Sequence, residues 1–162
     1  LKRTLALSMS FLFGLATQSM SQSSLTPLPD LTVDNIGDQL QRCSALYAAS
    51  RSVIAASLVS TDEPLEMSRL QDLRTRAEDN SDGLLKAAVI FLTVQEGKSD
   101  AEAVNLAVDN RDGFSALYLR NLAESGDDLS TIVRNDLWAN DVASCGALIS
   151  NIGPIIEGIS KK

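Results

Sequence analysis

An all-α fold, an up-down four-helix bundle with a disulfide joining its first and last helices, is what this sequence predicts, on three observations. Apolar residues recur at spacings of three, four and seven along four stretches, the period of an amphipathic helix. Capping and stop signals separate those stretches by only a few residues, so each helix must reverse against its predecessor. Finally, the chain's two cysteines, Cys43 and Cys145, both fall on apolar stripes near opposite ends of the helical region.

Taken in order, Lys2 and Arg3 precede a mostly apolar run from Leu5 to Ala16, followed by the small polar segment Thr17 to Gln22. That order describes a secretory signal peptide. The apolar run is 12 residues, whereas a bilayer-spanning helix needs about 20. Residues 1–21 are therefore assigned as a signal removed after Ser21, without a cysteine to lipidate. The expected location is periplasmic or extracellular, and no later segment is long and apolar enough to embed the processed chain in a membrane.

Residues 22–33 contain Pro27 and Pro29, which remove backbone donors and favour an extended lead-in. A single helical domain is expected over 34–153. Its first helix, 34–60, carries Ile36, Leu40, Cys43, Tyr47 and Ile54 on one stripe, with alanines at 45, 48, 49, 55 and 56 that permit close helix approach. Ser60 to Pro64 supplies capping oxygens and a proline tolerated in a first turn, which starts a second helix at 63–96. Leu70, Leu73, Ala77, Leu84, Ala88 and Phe91 hold one phase along it, and Gly97 is its stop. Ser99-Asp100-Ala101-Glu102 reads as a capping box for a third helix, 99–124, with Val104, Ala107, Phe114, Tyr118 and Leu122 on its stripe and Gly126 as its stop. Asp127 or Asp128 should cap a fourth helix, 128–152, with Leu137, Trp138, Val142, Cys145 and Leu148 inward. Gly153-Pro154 should end it, leaving 154–162 as a tail.

Pairing Cys43 with Cys145 follows from the expected export, because oxidising compartments join thiols that a cytosol keeps reduced. Both lie at similar height in the bundle, given 1.5 Å of rise per residue. A redox-active pair is disfavoured by their distance in sequence, since active dithiols are normally close neighbours.

The repeated Asp-Asn-x-Asp-Gly at 79–83 and 109–113 suggests calcium, but the motif fails in register. With Gly83 or Gly113 at position six of an EF-hand loop, position twelve is Val89 or Leu119, where a bidentate carboxylate is required. Both stretches instead keep helical phase, with Ala77 to Leu84 and Ala107 to Phe114 each seven residues apart. They are read as polar turns of continuous helices, weakened at glycine.

Chemistry is bounded by the absence of histidine from the whole chain. Ser-His-Asp and Cys-His nucleophile systems, histidine-ligated haem and nearly all zinc sites are thereby excluded. Glu124 before Gly126 reads as helix termination rather than as a catalytic acid. No catalytic residue, metal ligand or cofactor is assigned. Without residues 1–21 the chain keeps 141 residues with 12 Lys and Arg against 21 Asp and Glu, a net −9. Such a balance disfavours nucleic acid and anionic membranes and points to a basic partner, if a charged one.

Two functions remain. The first is a non-catalytic interaction protein, such as an inhibitor, an immunity-like factor or an accessory subunit. The alternative is a carrier of a small apolar ligand in the bundle interior, with Tyr47, Tyr118 and Trp138 as the side chains that combine apolar area with a polar handle.

Overall fold

A computed structural model describes residues 24–32 and 34–160; the signal peptide expected at 1–21 lies outside the described residues. The described chain is all-helical. It comprises α1 (Ile36–Val59), α2 (Pro64–Val94), α3 (Asp100–Ser125), a 3-10 turn at Ile132–Arg134, α4 (Asp136–Ser150) and α5 (Ile152–Ser160). No strand occurs among the described residues.

Local chemistry explains the boundaries. Pro64 opens α2 in the first turn, where its missing N–H costs nothing, while the Glu63 carboxylate accepts from the Glu66 N–H at 2.6 Å. Ser99 and Glu102 form the expected capping box at the start of α3. Gly97 and Gly126 both adopt left-handed φ, +66° and +72°. Each lets the next residue's N–H return to a carbonyl near its helix end, Lys98 to Leu92 and Asp127 to Leu122, both at 3.1 Å. The two Asp-Asn-x-Asp-Gly stretches lie inside α2 and α3, and neither helix breaks at its glycine.

α1 is the helix around which the others gather. It packs most extensively against α2, then against α3, and it also meets α4. Ser44 and Ser81 exchange hydroxyl-to-carbonyl hydrogen bonds of 2.8 and 2.9 Å across the α1–α2 seam. Near the start of α1 the seam is tight enough that a Cβ on Gly37 would stand 2.5 Å from the Phe91 ring. Across the α1–α3 seam the Asn110 amide donates to Gln41 Oε1 at 2.6 Å. Leu40, Leu46, Leu84, Leu92, Ala103, Ala107, Tyr118 and Trp138 fill the space these helices enclose. A smaller cluster of Ile54, Leu70 and Ala77 closes the other end.

The expected disulfide is present. Cys43 and Cys145 are bonded, both fully buried, with Cα atoms 5.4 Å apart, and they join α1 to α4. The simple up-down ring is not established by the packing, because α1 has three helical neighbours rather than two and α3 meets α4 only sparingly. One reason is length: α4 spans 15 residues and cannot line the whole of the 24-residue α1.

Two boundaries differ from expectation. Asp128 does not start α4; its Oδ1 accepts from the N–H groups of Ser130 and Thr131 at 2.8 and 3.1 Å and so closes a turn instead. The fourth helix begins only after Asn135, whose Oδ1 takes the Trp138 N–H at 3.3 Å. Residues 152–160, most of them expected as tail, form α5. Pro154 is its third residue, inside the first turn where helix N–H groups lack partners, so the ring starts a helix rather than preventing one. Ile155 and Ile156 then pack on the core, and α5 meets α2.

Candidate binding groove

A buried ion pair ties α1 to α4. Asp141 on α4 is fully buried, and Arg42 on α1, with 12% of its side chain exposed, donates to its Oδ2 at 2.7 Å. The Tyr118 hydroxyl donates to the same oxygen, and Arg42 Nε donates to the Tyr118 oxygen at 3.1 Å. The other carboxylate oxygen accepts the Leu28 N–H at 2.7 Å and the Asn140 amide at 3.0 Å. Arg42 also holds the Thr26 carbonyl, and Gln39 donates to the Pro29 carbonyl at 2.9 Å. The proline-containing lead-in is thus an extended strap clamped onto α1 and α4, with Leu28 buried beneath it. Burial first, and then the Asp141 hydrogen bond, push the Tyr118 phenol far above its usual range, so it is a permanent donor.

Each carboxylate oxygen of Asp141 accepts two hydrogen bonds, so the cluster clasps α1, α3, α4 and the strap together. Its sequence signal lay in phase: Asp141 occupies the inward stripe with Leu137, Trp138, Cys145 and Leu148. The neighbouring Val142, expected inward, is 46% exposed. No cluster of three His, Cys, Asp or Glu side chains among the described residues is placed to hold a metal.

Beside the clasp lies an apolar groove of about 470 Å³, between α1, α2, the 3-10 turn and α4. Helical spacing builds its walls. Tyr47, Ser50 and Ile54 come from one face of α1, and Leu73, Arg76, Ala77 and Asn80 from one face of α2. Leu129, Ile132 and Val133 close one side from the turn, while Trp138, Ala139 and Val142 close the other from α4. The disulfide ties its α1 and α4 walls nearby, Tyr47 being one turn beyond Cys43 and Trp138 two turns before Cys145. Val133 and Val142 stand 73% and 46% exposed on its edge.

Of the three side chains expected to face a ligand, the structure brings two to this groove. Tyr47 is half-buried there, and burial raises its phenol's pKa, so it remains neutral. Trp138 is buried in the wall, its indole N–H without a hydrogen-bond partner. Tyr118 instead stacks edge-on against the hidden side of Trp138, ring centroids 5.3 Å apart, and belongs to the clasp. A larger depression, about 680 Å³, runs between α1, the start of α2 and the end of α3. Its walls are rich in Ser and Asp, and its Glu66 and Arg69 already bind one another at 2.6 Å, so it offers less for a ligand to gain.

No protein-family model, no curated protein and no solved structure matches this chain.

Proposed function

We propose that this chain is an exported, non-catalytic binding protein whose working surface is the apolar groove. The observation that carries the reading is an open, apolar-walled groove that nothing among the described residues covers, with Val133 and Val142 exposed at its edge. Binding rather than catalysis is supported by the absence of histidine from the sequence and by the full engagement of Asp141. Export is supported by the basic-then-apolar N-terminus, and the buried disulfide is consistent with an oxidising compartment. No helix among the described residues is long and apolar enough to cross a membrane.

Both expected classes of occupant suit such a groove. A partner protein places apolar side chains in it and, if charged, meets a chain of net acidic balance with basic residues; a small ligand lays an apolar chain along it. The space between α1, α2 and α3 is filled by side chains, which favours the groove over the interior as the seat of any ligand. Native mass spectrometry of the protein recovered from its own host, beside the surface variant Val133→Asp, tests the reading. A bound species present on the wild type and lost from the variant supports it, and its mass separates protein from small molecule. Retention of the same species by the variant, or bare protein in both samples, overturns it.

A further inference from the structure

The walls of the groove are apolar, and the Ser50 hydroxyl is spent on the Leu46 carbonyl at 2.8 Å, yet the remaining polar groups share one character. Arg76, Asn80, Tyr47 and the Trp138 indole all lack a hydrogen-bonding or ionic partner among the described residues. Arg76 and Trp138 can only donate, and Tyr47 and Asn80 each carry donor hydrogens. No carboxylate lines the groove, although the chain has 21 acidic residues against 14 basic. Arg76 has Asp72 one turn before it and Asp79 one turn after it, but its guanidinium pairs with neither. The order of residues along the groove adds a direction. Ile54, Leu73 and Leu129 make one end wholly apolar, whereas Tyr47, Ser50 and Asn80 give the other end its polar atoms, with Arg76 between.

We propose that the groove binds a single-chain amphiphile with a carboxylate head, a free long-chain carboxylic acid. Its alkyl chain lies over Ile54, Leu73, Leu129 and Trp138, and its carboxylate takes the donors of Arg76 and Asn80. Three physical facts select this class. An apolar trough rewards methylenes, at about three- to fourfold in affinity for each one fully buried. A guanidinium is the side chain best matched to a planar carboxylate, which it holds through two parallel hydrogen bonds. The volume of about 470 Å³ lies within the roughly 300 to 1,000 Å³ of small-ligand sites. The acidic surface at large does not oppose this, because exposed charges beyond about 8 Å are screened at physiological salt while Arg76 lies at the site. The assignment rests on the groove being the working surface.

Trp138 is the chain's single tryptophan, so intrinsic fluorescence reads the groove directly. The oxidised protein is titrated with decanoate, dodecanoate, dodecanol and dodecyltrimethylammonium, each below its micelle-forming concentration. Dodecanoate is expected to saturate the signal, more tightly than decanoate, with dodecanol about tenfold weaker for want of the charged head. The cationic amphiphile should be weakest. Arg76 is exposed, so Arg76→Gln should fold, as helix content will verify, and should bring dodecanoate down to the level of dodecanol. Equal binding of acid and alcohol, unmoved by Arg76→Gln, overturns the carboxylate assignment while leaving the groove as a binding surface. Failure of every amphiphile to saturate the signal overturns the ligand class, and mass spectrometry of Val133→Asp then judges the groove by itself. A peptide with an apolar C-terminal segment that binds more tightly than dodecanoate, and loses this on amidation, overturns the free acid in favour of a protein terminus.

Discussion

Replacing Arg42 by Met keeps the length and apolar stem of the side chain but leaves Asp141 as a buried carboxylate without its counter-ion. Breaking a buried pair in this way typically costs about 3 to 5 kcal/mol. The lower end applies, because Leu28, Asn140 and Tyr118 still donate to the two oxygens. Asp141→Asn should cost about 2 to 3 kcal/mol, since one end of the amide must then present hydrogens to donors. In the double variant the two losses overlap. Coupled neighbours typically depart from additivity by about 0.5 to 3 kcal/mol, and this pair should be near the top of that range. The assay is urea unfolding of the oxidised proteins at neutral pH. With a slope of roughly 2 kcal/mol/M, Arg42→Met should lower the midpoint by about 1.5 M. A loss below about 1 kcal/mol in Arg42→Met, or additivity of the two single losses within about 0.5 kcal/mol, refutes the clasp as a desolvated, coupled pair.

Three further outcomes are expected. The Cys43→Ala/Cys145→Ala double variant loses a cross-link over 102 residues, worth about 4 to 5 kcal/mol in the chain-entropy treatment, and should melt roughly 10 to 15 °C lower; an unchanged melting temperature contradicts it. Tyr47 and Tyr118 have folded pKa values raised above 10.0, so the stability they confer is complete below pH 10 and falls as pH rises beyond it. In an ultraviolet titration followed with helix content, Tyr118 should therefore ionise only as helix is lost, and two phenols titrating near pH 10 in intact protein would count against this. Gly37→Ala should destabilise by about 1 to 3 kcal/mol through its clash with Phe91, whereas Gly83→Ala, which meets nothing within 4 Å, should stabilise by about 0.5 to 1 kcal/mol; thermal melts that show the same sign for both contradict the packing described.

Much of the helical architecture was legible because it depends on short-range rules. The capping box at Ser99 and Glu102, Pro64 in a first turn and the glycine stops at 97 and 126 are local chemistry, and local chemistry is written in consecutive residues. The cysteine pairing was legible for a different reason: two residues on inward stripes at matching heights leave one way to join. What escaped was decided between distant segments. Asp128 and Asn135 are both competent caps, and only the packing of the turn shows that the first closes a loop and the second opens α4. Pro154 reads as a breaker unless the residues before it are known to start a new helix. In the groove, Tyr47 and Trp138 were visible as amphipathic aromatics. Arg76 and Asn80 look like any solvated residues of α2, because their place beside α4 depends on a chain reversal and a disulfide.

The clasp also has a consequence in time. Helical proteins usually assemble from partners close along the chain, and α1 with α2 is such a pair. Asp141, by contrast, receives the Leu28 amide from 113 residues away and Arg42 from 99. In a chain delivered N-terminus first, α1, α2 and α3 can meet early, with Arg42 on the Tyr118 hydroxyl but lacking its counter-ion, and Cys43 unjoined. The arrival of α4 completes the seat of the strap, buries the charge and brings the second thiol into reach. Completion of this fold therefore waits on α4, and a chain interrupted before residue 141 would lack its lock.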